Sequence, residues 1–330
     1  MKSLIGLLGL CAVLSLNVQG SGLRGPLSGY VFNDTTGQIL PIQGIPGAAI
    51  LGNPVNVPTP FQRAVISPLG FAVTISTTGE VAILSRLDSD EPLVTPLDTL
   101  APNPDILTLS QNGSAVALFW KALGKVQLFS GLPAPPSGSK TLDVQYLSGE
   151  VAALAPDNSG SYVLAASADS EGHGGVYRIE DQRTWTSIVM VTPAIQPVAV
   201  TFVHGGRDAL ALDRGSNELI FLPEVLGSGG SRVIATFSDA PDPVDRLTAS
   251  DATDYVLVGS SKNERLFVVA LRDEYSTSTE LLELPITNPL LTRLSAPHLY
   301  LLAGPSPGPV QILDVSRTPQ SFFVPPAVAP

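Results

Sequence analysis

The sequence predicts an all-β protein closed into a ring of similar blades, a β-propeller, and three observations carry that prediction. One turn phrase recurs six times, about 45 residues apart, each time between two short apolar runs. Each interval holds four runs of aliphatic, β-branched and aromatic residues with Gly, Pro, Asn or Asp between them, the pattern of short strands and tight turns. Gly and Pro number 30 each while charged residues are only 14% of the chain, a balance that suits many turns around a sheet-built core. A repeat of roughly 40–50 residues with several strands per unit is the signature of a propeller.

The elements follow in order. A hairpin comes first, Gly29 to Phe32, a turn at Asn33-Asp34-Thr35-Thr36-Gly37, then Gln38 to Ile42. It reads as the outer pair of strands of one unit, followed by Ala48 to Leu51. The first full unit has strands at Arg63–Ser67, Phe71–Ile75, Glu80–Leu84 and Pro92–Leu97, with the phrase Ile66-Ser67-Pro68-Leu69-Gly70 between the first two. The phrase returns as Leu109-Ser110-Gln111-Asn112-Gly113 and as Leu154-Ala155-Pro156-Asp157-Asn158-Ser159-Gly160. Degraded copies stand at Phe202–Gly206, Ala249–Thr253 and Leu294–His298, each opening a further four-strand unit.

Second strands such as Val163-Leu164-Ala165-Ala166 and Leu299-Tyr300-Leu301-Leu302 show no polar alternation, as expected of strands covered on both faces. Third strands alternate, as in Val126-Gln127-Leu128 and Val310-Gln311-Ile312, which predicts a place further out. A ring must bring its ends together, because an open blade exposes an unpaired edge. Six full units and one partial unit predict seven blades with an incomplete N-terminal one. Six blades carrying an extra hairpin is the alternative.

Lys2, the apolar stretch Leu4 to Leu16, and Val18-Gln19-Gly20 before Ser21 have the layout of a secretory signal. Residues 1–20 are therefore expected to be removed and residues 21–330 to form one domain, exported to the periplasm or cell exterior. The apolar stretch is shorter than the roughly 20 residues a bilayer demands, so no span is expected after cleavage. The one cysteine, Cys11, lies inside it behind Leu10, and no disulfide can form within the chain. With 18 Lys+Arg against 29 Asp+Glu, a net charge of −11, the chain has no cationic footprint for nucleic acid.

The turn phrase, best kept at Ile66-Ser67-Pro68-Leu69-Gly70 and Ala155-Pro156-Asp157-Asn158, resembles the Ser-Pro-Asp-Gly turns of YVTN-type and lactonase-like bacterial propellers over about residues 60 to 325. The strand phrase that names the YVTN family is absent; the matching places read Phe71-Ala72-Val73-Thr74-Ile75 and Tyr162-Val163-Leu164-Ala165-Ala166. The resemblance implies the architecture and no active site.

In such a ring the loops after second and fourth strands share one face with a channel mouth. The loops after second strands are the richest collection of charge in the chain, and Glu80, His173, Arg214, Asp242 and Glu264 are the candidate ligand-binding residues on this face. His173 lies in a Gly-rich loop, while His204 and His298 fall in turns of the opposite face, so no histidine metal site is expected. Asp239, Asp242 and Asp245 form an acidic run without the spacing of a calcium loop. The chain has no Gly-x-Ser-x-Gly elbow and no P-loop, and no catalytic residue or cofactor is assigned. The expectation is a secreted, monomeric, non-enzymatic platform for a protein or glycan. An exported hydrolase of the lactonase-like kind and a structural cell-envelope component are the alternatives.

Overall fold

A computed structural model describes residues 25–136, 138–227, 229–237, 242–250, 255–262, 265–272, 276–283, 289–305 and 309–326. They form seven antiparallel sheets arranged as a seven-bladed propeller. Blade 1 has three strands, β1 (Leu27–Asn33), β2 (Gln38–Gln43) and β3 (Ile50–Leu51). The other six have four each. Blade 2 is β4 (Phe61–Ile66), β5 (Ala72–Ser76), β6 (Val81–Ser85) and β7 (Leu93–Pro96). Blade 3 is β8 (Ile106–Leu109), β9 (Ala115–Trp120), β10 (Lys125–Ser130) and β11 (Ser139–Asp143). Blade 4 is β12 (Glu150–Pro156), β13 (Tyr162–Ala168), β14 (Gly174–Asp181) and β15 (Thr186–Ala194). Blade 5 is β16 (Pro197–Val203), β17 (Asp208–Asp213), β18 (Glu218–Leu222) and β19 (Arg232–Thr236). Blade 6 is β20 (Arg246–Ala249), β21 (Tyr255–Gly259), β22 (Arg265–Arg272) and β23 (Ser276–Glu283). Blade 7 is β24 (Thr292–Arg293), β25 (Leu299–Ala303), β26 (Val310–Asp314) and β27 (Gln320–Val324).

Side chains of a strand alternate between faces, and each face of a blade meets a different neighbour. On β9, Val116, Leu118 and Trp120 pack with Val73 and Ile83 of blade 2, while Ala117 and Phe119 pack with Val163 and Ile179 of blade 4. This is why second strands read as unbroken apolar runs. The scheme continues between blades 4 and 5 (Leu164, Phe202, Ile220), 5 and 6 (Leu212, Phe221, Val258), 6 and 7 (Leu257, Tyr300, Leu313) and 1 and 2 (Tyr30, Phe61, Leu84). The seventh interface joins Val31, Ile42 and Leu51 to Leu299, Ile312 and Val324. The ring closes there, with the Leu51 N–H donating to the Pro325 carbonyl at 2.9 Å.

One detail departs from the sequence reading. The N-terminal hairpin is not an outer pair of strands: it takes the second and third places of its blade. The Phe61 N–H donates to the Gly37 carbonyl as the Asn103 N–H does to Gly79, and Val55 binds Ile39 as Leu97 binds Val81. Among the described residues blade 1 has no first strand. Third strands lie further out than second strands, as expected, and they too are buried on both faces. Gln127 is buried because its amide has partners inside, accepting from the Leu100 N–H at 3.1 Å and donating to the Asp98 carbonyl and Ser139 Oγ at 3.0 and 2.8 Å.

First strands of blades 2 to 7 line a central channel of about 220 Å³. Near the end that carries the first-to-second-strand turns, Arg293 reaches from blade 7 to blade 3, donating from Nη1 to the Gln111 carbonyl at 3.2 Å. Blades 2, 3, 4 and 6 present Ile66, Leu109, Pro156 and Ala249 to the same channel.

Candidate functional site

On the opposite face, where the loops after second and fourth strands gather, several carboxylates hold main chain. The Asp105 carboxylate accepts the Lys121 N–H at 2.7 Å, tying the approach to β8 to the end of β9. Asp245 does the same in blade 6, accepting the Ser261 N–H at 2.7 Å and the Ser261 hydroxyl at 2.5 Å. In blade 5 the polarity is reversed. Asp213, at the end of β17, accepts the N–H groups of Ile195, Gln196 and Gly215 at 2.8, 2.7 and 2.9 Å. These groups are strand connectors, which accounts for much of the charge in these loops.

The candidate residues are spread over several blades. Glu80 is exposed in the turn before β6, its carboxylate accepting from Thr78 Oγ1 at 3.3 Å. Arg214, exposed after β17, donates from Nε to Gln196 Oε1 at 3.2 Å. Asp242 is half-buried in the connection between β19 and β20. Glu264 lies outside the described residues, as does Asp239 of the acidic run. His173, with 77% of its side chain exposed, donates its backbone N–H to Asp169 Oδ1 at 2.9 Å, and its Nδ1 stands 3.5 Å from Asp169 and 3.7 Å from Glu171. That backbone hydrogen bond leads the interactions that hold the Asp169 carboxyl below its ordinary value. His204 and His298 occur between first and second strands, at the other end of the blades. Among the described residues no three His, Cys, Asp or Glu side chains converge on a metal position.

Of these candidates His173 borders a groove of about 580 Å³ between blades 4 and 5. One wall is the end of β15 and the residue after it, Thr192 to Ile195; the other is formed by Glu218 and Ile220 of β18 with Ser231 to Val233 at β19. Thr192 Oγ1 and Ser231 Oγ meet at 2.8 Å across the two blades. Ile195 and Val233 are large apolar side chains left about half exposed, 51% and 50%. Ile195 lies over two glycines. A Cβ on Gly215 would stand 2.5 Å from Ile195 Cγ2 and one on Gly172 3.5 Å from it, so Gly215 is required for the close approach. Arg214 and Glu80 do not line the groove.

The electrostatics of the groove follow from strand alternation. Val233 is paired with Ile220 and Arg232 with Phe221. Ile220 packs toward blade 4 and Phe221 toward blade 6. The Arg232 guanidinium accordingly sits over the Phe221 ring, 4.8 Å from its centroid, on the side away from the groove. Glu218 has the parity of Ile220 and faces in. The groove is therefore an apolar trough with a carboxylate at one end and the acidic loop Asp169–His173 beside it. It offers concavity, apolar area and negative charge, the elements of a binding cleft. Ile195, Glu218 and Val233 are not distinguishable in the sequence, because their exposure depends on how two whole blades are set against each other.

No described protein family matches the sequence, and no curated protein matches it. Solved structures do. A functionally unknown protein from Desulfotomaculum acetoxidans superimposes with a TM-score of 0.62 at 12% identity, over 91% of this chain and 100% of that one. A candidate 6-phosphogluconolactonase from Bacteroides uniformis gives 0.60 at 16% identity, over 91% and 97%. A similar candidate from Bacteroides fragilis gives 0.57 at 14%, over 91% and 94%. The chain shares the seven-bladed, lactonase-like propeller fold with these proteins. At such identities the likeness extends to the fold alone, since propellers serve many unrelated functions.

Proposed function

We propose that this chain is an exported, monomeric, non-enzymatic propeller that serves as a binding platform, with the groove between blades 4 and 5 as its contact site. The observation that carries this reading is the pairing of half-exposed Ile195 and Val233 across a groove of about 580 Å³. That volume lies within the roughly 300–1,000 Å³ of ligand clefts. Export rests on the signal-like start of the sequence, and no helix among the described residues is long and apolar enough to cross a membrane.

The test is a photo-crosslinking residue placed at Val233, with a second at exposed Leu69 on the opposite face as control. The platform reading expects a defined adduct from Val233 with extracytoplasmic material and none from Leu69. The same adducts from both positions, or none from either, would contradict it. A second reading, an exported lactone hydrolase, is favoured by the likeness to the two candidate 6-phosphogluconolactonases. Turnover of a gluconolactone by the purified protein, unaffected by Val233→Asp, would favour it over the platform.

A further inference from the structure

Resting on the groove as contact site, we infer that its occupant is an extended polypeptide segment that carries a basic side chain beside aliphatic ones. Three observations lead there. The exposed apolar residues do not stop at the groove: Val189 on β15 is 44% exposed and shares the blade 5 side with its pair Arg178, and Ile195 and Val233 continue the series. From Val189 to Ile195 an extended chain covers about 20 Å at roughly 3.3 Å per residue. A long, narrow apolar track of this kind fits an extended segment better than a compact small molecule.

Second, β15 is the outer strand of blade 4, paired only with β14. Its pairing with β14 is regular over Thr186 to Met190, before the bulge next to Met190 and the proline at Pro193. Over those five residues the outer edge offers backbone N–H and C=O groups to a further strand. Among the other outer strands β7, β11 and β19 carry Pro96, Lys140 and Arg232 in the corresponding stretch; β27 carries no charge or proline but lies in blade 7, away from the groove. Ile188-Val189-Met190 carries neither.

Third, the charges select the partner. Glu218 faces into the groove and Asp169 and Glu171 flank His173 at its rim, whereas the Arg232 guanidinium is turned toward Phe221 on the far side. In a chain of net charge −11, this potential draws in a lysine or arginine and repels an acidic segment. A strand laid along β15 would place its aliphatic side chains against Ile195, Ile220 and Val233 and a basic one at Glu218.

The experiment uses two fluorescein-labelled peptides of alternating sequence, one of valine and lysine, the other of valine and glutamate, in fluorescence anisotropy with the full mature chain. The lysine peptide is expected to bind at least tenfold more tightly, with affinity falling as salt rises. Glu218→Lys is expected to reverse the preference, and Val233→Asp to weaken both peptides about tenfold at an unchanged melting temperature. Equal binding of the two peptides, or a preference that survives Glu218→Lys, overturns the inference. If neither peptide binds while Val233 still cross-links a partner, the peptide inference falls and the contact site stands. If cross-linking fails as well, both fall.

Discussion

Asp213 and Asp208, at the two ends of β17, show how single carboxylates organise this ring. Asp213 is almost fully buried and accepts three main-chain N–H groups, which fixes the path of the chain from blade 4 into blade 5. Each buried donor left without a partner costs about 1–3 kcal/mol. Asp213→Ala is thus expected to destabilise the protein by about 3 kcal/mol or more, measured by urea unfolding, with Asp213→Asn milder; a change below about 1 kcal/mol would contradict this. Asp208 accepts from His204 Nδ1 at 2.7 Å, Arg207 Nη2 at 2.9 Å and the Glu224 N–H at 2.8 Å. Burial alone would raise its carboxyl; the hydrogen bonds, Arg207 foremost, outweigh burial and hold it below its ordinary 3.8. A carboxyl depressed in the folded state stabilises above its unfolded pKa and loses that contribution as pH falls through the lower folded value. Asp208→Asn should accordingly be less stable than wild type at pH 7, with the difference shrinking as pH falls below about 4. A difference that is constant from pH 7 to pH 3 would rule this out.

At the scale of elements, the strands of the six full units were legible because two signals coincide, an apolar run and a turn phrase at a fixed period. Ser67-Pro68-Leu69-Gly70 and Ser110-Gln111-Asn112-Gly113 close with the same hydrogen bond, from the Gly70 N–H to the Ser67 carbonyl and from the Gly113 N–H to Ser110. Sequence alone placed the N-terminal hairpin one strand too far out, since nothing local distinguishes second-and-third from third-and-fourth strands. The deciding contacts, Phe61 to Gly37 and Val55 to Ile39, lie in the next connection along the chain. The burial of Gln127 was hidden for a related reason: its partners Asp98 and Leu100 come from the connection between two blades. The groove was less legible still. His173 was visible as a histidine among glycines, whereas Ile195 and Val233 look like ordinary core residues until two blades are set side by side. Ring closure gives the test for this scale. Val324 is fully buried between blades 7 and 1, and Val324→Asp buries an unpaired carboxylate there. A loss of several kcal/mol, about 3 or more, is expected. Near-wild-type stability of that variant would mean the seventh interface does not hold the ring.

For the whole molecule, stability rests on seven apolar interfaces of similar make-up, each joining two blades adjacent in the ring, the last joining blade 7 to blade 1. With a single cysteine in the sequence, no internal cross-link supplements them. The melting temperature of the monomer is expected to be the same with and without reductant, and a fall on reduction would point to an unforeseen covalent link. Such a frame holds loops from all blades in fixed relation, so a groove between two of them keeps its shape without a ligand. The central claim is that contact is made there and not at the channel. Hydrogen exchange of the native protein, with and without the valine–lysine peptide, tests it most directly. The account predicts slowed exchange confined to Thr186–Ile195 and Ser231–Thr236. Protection of the first strands around Arg293, or no protection anywhere, would contradict it.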